Sequence, residues 1–105
     1  MRNEISESHF IDANGPAGGT SYGIGFAISW QNGPLGRGEE RRAPNGAFVE
    51  DLISAVIGRL YFYQNVKRCE ENSEALVYLH KALDALQRRT ARREAEGVEG
   101  THEGS

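Results

Sequence analysis

Between residues 20 and 31 the chain reads TSYGIGFAISWQ, so Tyr22, Ile24, Phe26, Ile28 and Trp30 alternate with Ser21, Gly23, Gly25, Ala27 and Ser29. A period of two predicts a strand with bulky side chains on one face and small ones on the other. The small face leaves room for a neighbouring backbone, another subunit or a ligand. Residues 1–19 are polar and turn glycine-rich toward their end, with His9, Phe10 and Ile11 as the one short extended piece. A loosely ordered N-terminus is expected there. Asn32, Gly33, Pro34, Gly36 and Gly38 mark a turn region, and a second short strand near residues 39–43 is expected to pair back as a hairpin.

After Pro44 the period changes to that of a helix. Val49, Leu52, Ile53, Val56, Ile57 and Leu60 recur at helical spacing, with Asn45 as the expected N-cap and Glu50 and Asp51 near the positive helix start. This helix should run to about Asn65. A linker over residues 66–72 leads to a second stripe of Leu76, Leu79, Ala82, Leu83 and Leu86, which should end before Gly97. Two helices with a short connection form an antiparallel hairpin. The expected fold is therefore α+β in a single domain: a loosely ordered segment over 1–19, a small antiparallel β-sheet region over 20–44, a long antiparallel two-helix hairpin over 45–96, and a C-terminal tail over 97–105.

Composition changes this picture in two ways. A hydrophobic fraction of 38% in 105 residues is thin for a core of that length, so an oligomer that shares its core between copies is expected. The net charge of −3 and pI near 5.6 argue against binding polymeric nucleic acid. The lone Cys69 cannot form an intrachain disulfide, and no signal peptide or apolar run near the roughly 20 residues of a membrane span is seen. A cytoplasmic location follows as the expectation.

The glycines of residues 15–25 lack the strand before and helix after that a dinucleotide fingerprint needs, and no Gly-Lys-Ser/Thr follows them. His9, His80 and His102 are far apart, without paired metal-ligand spacing. Neither a metal nor a cofactor is expected. Positive charge is instead concentrated: Arg88, Arg89, Arg92 and Arg93 are four of the chain's twelve basic residues, and an acidic, glycine-broken tail follows them. Concentrated arginine suits phosphate or carboxylate.

Helical phase sorts these arginines. Leu79, Leu83 or Leu86, Thr90 and Arg93 follow one stripe with Arg89 on its flank, whereas Arg88 and Arg92 fall opposite and should be solvated. Arg89 and Arg93 either complement the negative helix end or point together at a ligand. Asn72 either caps the second helix or, if Ser73 does so, presents its amide to a ligand. Phe62, within Tyr61-Phe62-Tyr63, serves either packing or the stacking of a purine. Arg89 lies seventeen residues beyond Asn72, or about 25 Å at ~1.5 Å per helical residue. One small ligand can meet both only if an antiparallel partner subunit supplies one of them.

The segments FAISWQNGPLGRG, NGAFVEDLISAVIGRLYFYQ, CEENSEAL and LDALQRRTARREAEGVEGTH cover about three quarters of the chain. In them the chain resembles the first Thoeris anti-defence protein family of phages, which shares a helical-hairpin domain with an anti-CBASS sponge. The resemblance implies a protein without catalytic activity that sequesters glycocyclic ADP-ribose, the cyclic ADP-ribose isomer made by a TIR enzyme as an alarm signal. It also implies binding of cyclic di- or trinucleotides of CBASS signalling at a separate site, in homodimers or hexamers in the host bacterial cytosol. Carried onto this sequence, the ligand contacts fall on Phe62, Asn72 and Arg89, with Arg37 in the glycine-rich turn, Thr90 and Arg93 on the second helix, and Val98, Gly100 and His102 in the tail. Two competing expectations remain: an enzyme that degrades the signal with Glu99 and His102, and a structural or interaction module whose arginines grip an acidic partner.

Overall fold

The computed structural model describes residues 4–33, 35–36 and 38–96. Among them the order is β1 (Ser6–Asp12), β2 (Gly15–Gly23), β3 (Phe26–Asn32), a short 3-10 helix at Gly38–Glu40, α1 (Val49–Val66) and α2 (Glu70–Ala95). The class is α+β, with an antiparallel sheet of order β1-β2-β3 followed by two helices. Tertiary contacts divide the chain into two units, Met1–Phe48 with Arg93–Ser105, and Val49–Arg92.

In the sheet unit, two expectations from the sequence need correction. The segment expected to be loosely ordered carries β1 and most of β2, joined by a tight turn in which the Asn14 N–H donates to Asp12 Oδ1 at 2.7 Å. Polar, glycine-rich residues hide a strand from hydrophobic pattern when it is exposed along its whole length, as β1 is. The twelve-residue alternation of 20–31 is also two strands, because Gly23 pairs with Phe26 across a turn at Ile24 and Gly25. Gly25 supplies the positive φ of 88° that this turn uses.

That reversal exchanges the bulky and small sets between faces. Tyr22 pairs with Ala27, and Ser21 with Ile28, so Ile28 and Trp30 of β3 share a face with Gly19 and Ser21 of β2. Small residues of β2 make room on this face for the large ones of β3. The Trp30 indole Nε1–H donates to Ser21 Oγ at 2.8 Å, and the Ser21 hydroxyl donates to Glu7 Oε1 at 3.1 Å. A polar chain thus runs across all three strands through Ser21, which is buried.

Beyond β3, residues 39–43 do not form the expected strand. The 3-10 helix occupies their start, and the Arg42 N–H donates to Leu35 O at 2.7 Å. The segment that does join β3 is shorter and parallel: Ala47 bridges Trp30, its N–H donating to Ser29 O at 2.7 Å and its O accepting from the Gln31 N–H at 3.0 Å. Asn45 is absorbed by this junction and not by a helix cap. Its carboxamide accepts from the Asn32 N–H at 2.8 Å and donates to Asn32 O at 3.0 Å. Helix α1 begins four residues later, with Glu50 and Asp51 in its first turn as anticipated.

In the helical unit, three cross-links fix the antiparallel register. Glu50 accepts from Thr90 Oγ1 at 3.4 Å, Tyr61 and His80 share a hydrogen bond of 2.9 Å, and Gln64 Nε2 donates to Ser73 Oγ at 2.7 Å. As residue numbers rise on one helix they fall on the other, the mark of an antiparallel pair. The buried and half-buried positions on α1 are Glu50, Leu52, Ile53, Ile57, Leu60 and Gln64, while Val49 and Val56 of the expected stripe are about half exposed. Ile57 and Leu76, each 7% exposed, are the buried apolar side chains among the described residues. Ala82, also placed in the stripe from sequence, is exposed.

Candidate functional site

Helix α2 sorts its arginines by the position each takes in the turn. Its buried and half-buried positions are Asn72, Ser73, Ala75, Leu76, Leu79, Leu83, Leu86, Thr90 and Arg93, which from Leu76 onward are three or four residues apart. Arg88 faces away and forms an exposed ion pair with Asp84 one turn earlier. Arg89 is exposed, and among the described residues its side chain makes no hydrogen bond or ion pair. Arg93, by contrast, is 9% exposed and groups with the sheet unit. The two arginines expected to point together therefore occupy different surroundings, one open and one enclosed.

At the linked end of the hairpin, α2 begins at Glu70, earlier than its pattern suggests. Cys69 O accepts the Ser73 N–H at 3.3 Å, so neither Asn72 nor Ser73 caps the helix; both lie inside its first turn. What holds the link is Gln64, which sequence reasoning missed. Its Oε1 accepts the Cys69 N–H at 3.0 Å and its Nε2 donates to Cys69 O at 3.3 Å. With capping done elsewhere, the half-buried Asn72 keeps its carboxamide uncommitted among the described residues.

Phe62 stands on α1 near this end, half exposed, with its ring centroid 6.0 Å from that of Tyr63. The guanidinium of Arg59 sits over both rings, 4.7 Å from Phe62 and 4.9 Å from Tyr63. Arg59 precedes the two aromatics by three and four residues, the spacing that brings helix neighbours together. That spacing was the sequence signal that would have found it. A flat aromatic face with a cation beside it can stack a nucleobase and carry part of an anion's charge.

Phe62 and Asn72 both belong to the closed end of the hairpin, whereas Arg89 lies seventeen residues further along the unbroken α2. At ~1.5 Å per residue that is about 25 Å, too far for one small ligand to bridge within a chain. Arg37, Val98, Gly100 and His102, with the rest of the 97–105 tail, lie outside the described residues. Among the described residues no group of three or more His, Cys, Asp or Glu could hold a metal ion, and no helix is long and apolar enough to cross a membrane.

No family model matches the chain. Over 77 residues, or 72% of its length, it is 46% identical to Thoeris anti-defense 1 of Bacillus phage SBSphiJ7. The chain is a relative of Thoeris anti-defense 1. Such identity over most of the chain agrees with the resemblance carried by its strand, hairpin and arginine segments. The aligned part is 51% of the phage protein, so the chain spans about half the length of the Thoeris anti-defense 1 it matches.

Proposed function

We propose that this protein is a phage anti-defence sponge, which binds glycocyclic ADP-ribose and withholds it from a Thoeris effector without cleaving it. The observation that carries this reading is the 46% identity to Thoeris anti-defense 1. The geometry supports it. Phe62 offers an aromatic face for adenine, Asn72 an uncommitted carboxamide for a base edge or ribose, and Arg89 an exposed guanidinium for the pyrophosphate. Because Arg89 is about 25 Å from Asn72 along α2, the pocket is completed by a second copy, in a homodimer or a hexamer built from dimers. Binding of cyclic di- or trinucleotides belongs to a separate site, and the place of action is the host cytosol.

The exposed apolar side chains support assembly. Val49, Val56, Tyr63, Val77 and Tyr78 of the helical unit are each 44% exposed or more, an uneconomical surface for an isolated chain. The competing reading, an arginine cluster that grips an acidic partner, is weakened because Arg88 is already paired and Arg93 is enclosed. The test is to incubate purified protein with glycocyclic ADP-ribose, remove the protein by filtration, and heat it to release what it held. Recovery of the intact nucleotide is expected; recovery of a cleaved product would overturn sequestration in favour of catalysis.

A further inference from the structure

A cavity of about 280 Å³ lies at the linked end of the hairpin, lined by Tyr61, Gln64, Asn65, Arg68, Ser73 and Leu76. Its parts differ in how far they are already committed. Leu76 is buried, and the Tyr61 hydroxyl is held by His80. The Gln64 carboxamide is engaged at both ends, with the Cys69 backbone and with Ser73 Oγ. These groups are fixed in place by bonds inside the hairpin. Asn65 and Arg68 are different: among the described residues neither side chain makes a hydrogen bond or ion pair. The cavity thus has a rigid wall and two uncommitted donor groups.

Size decides what such a cavity can take. Small-molecule sites usually measure about 300–1,000 Å³, so this half-open cleft lies at the small end and suits one part of a nucleotide. Chemistry narrows the fragment further. Arg68 is the one charged residue of the lining, and the fork of its guanidinium matches the paired oxygens of a phosphate. Asn65 adds an amide donor at its rim.

We infer that this cavity is the phosphate subsite of the ligand site, with Arg68 and Asn65 holding the pyrophosphate of the nucleotide bound beside Asn72. The assignment rests on the proposed binding of a cyclic ADP-ribose isomer and adds a cation from the same chain that supplies Asn72. Ligand charge is then shared between Arg68 of one copy and Arg89 of the other.

The test is isothermal titration of glycocyclic ADP-ribose into full-length wild-type, Arg68→Ala, Arg68→Lys and Asn65→Ala proteins, with thermal unfolding of each without ligand. Arg68→Ala should weaken binding about ten- to a hundredfold, because a charge-assisted hydrogen bond is lost. Arg68→Lys should fall between the two, keeping the charge without the fork. Unfolding midpoints should match wild type, since the Arg68 side chain makes no hydrogen bond or ion pair among the described residues. Wild-type affinity in Arg68→Ala, with wild-type protein binding normally, overturns the subsite alone. Wild-type protein that binds no cyclic ADP-ribose isomer overturns the parent reading and this subsite with it.

Discussion

Gln64 grips the backbone of Cys69 on both sides, accepting its N–H at 3.0 Å and donating to its carbonyl at 3.3 Å. One side chain at the end of α1 thereby sets where α2 starts. It also reaches Ser73, so the three-residue link between the helices is tied from within. Gln64→Ala should remove these bonds to the exposed Cys69 backbone and to Ser73, at a cost of about 0.5–1.5 kcal/mol. Urea unfolding of the variant would measure it. Gln64→Glu should recover part of the loss, since its carboxylate still accepts from Cys69 while the donor to Ser73 is gone.

On the sheet, Ser21 is expected to matter more than its size suggests. It is buried, accepts a hydrogen bond from the Trp30 indole N–H and donates one from its hydroxyl to Glu7. Ser21→Ala should cost about 1–3 kcal/mol by stranding the indole N–H. Trp30 is the chain's single tryptophan, so its fluorescence reports the change directly. Unaltered emission and unaltered stability would show that the bond contributes nothing.

Two glycines of the same sheet should respond differently to alanine. A Cβ on Gly19 would stand 2.1 Å from Ser8 O, and its φ of 140° is strained for any other residue. The backbone it would strike is a paired strand that cannot yield, so Gly19→Ala should cost more than about 2 kcal/mol and loosen β1 from β2. Gly25 has open space around its Cβ position and only its turn φ to protect. Gly25→Ala should cost about 1 kcal/mol. Thermal unfolding of the pair separates steric from conformational causes.

The helices show why part of the structure was legible in sequence and part was not. The stripe from Leu76 to Arg93 follows from spacing alone, because a helix fixes which residues share a face. Arg88 was placed in solvent by that spacing, and its ion pair with Asp84 is on the exposed side. The same logic could not find Gln64, whose partners belong to the link beyond its own helix. Nor could alternation reveal the turn at Ile24 and Gly25, since a two-residue hairpin continues the period while exchanging the faces. The start of α2 was misplaced because Asn72 and Ser73 are good capping residues, and the tertiary bond from Gln64 to Cys69 overrode that local preference. At the candidate site, Phe62 and Asn72 were legible as an aromatic and an amide near the hairpin end; the cavity beside Arg68 and Asn65 was not, because only folding gathers its lining.

Helix phase also makes a negative prediction. Arg88→Ala breaks an exposed i,i+4 pair, which is worth no more than about 0.5 kcal/mol, and should leave ligand affinity unchanged. Arg89→Ala, one residue away, should reduce binding sharply with little effect on stability. Equal losses of affinity in both variants would mean that the ligand reads the charge of the whole cluster and not a single face.

The length of α2 supplies the sharpest test of where one site ends and its neighbour begins. Asn72 and Arg89 lie on the same unbroken helix, about 25 Å apart, so no single chain can bring both to one nucleotide. Asn72→Ala and Arg89→Ala should each abolish binding on its own. Mixed, unfolded and refolded together, the two proteins should recover binding, because a mixed dimer joins an intact Asn72 from one chain with an intact Arg89 from the other. Random pairing makes half of the dimers mixed, and each mixed dimer has one repaired pocket of its two, so titration should find about a quarter of the wild-type sites. Those sites should bind with wild-type affinity, since the repaired pocket lacks nothing. No recovery would show that Asn72 and Arg89 do not meet in one pocket across two chains, and the shared-pocket geometry would have to be abandoned.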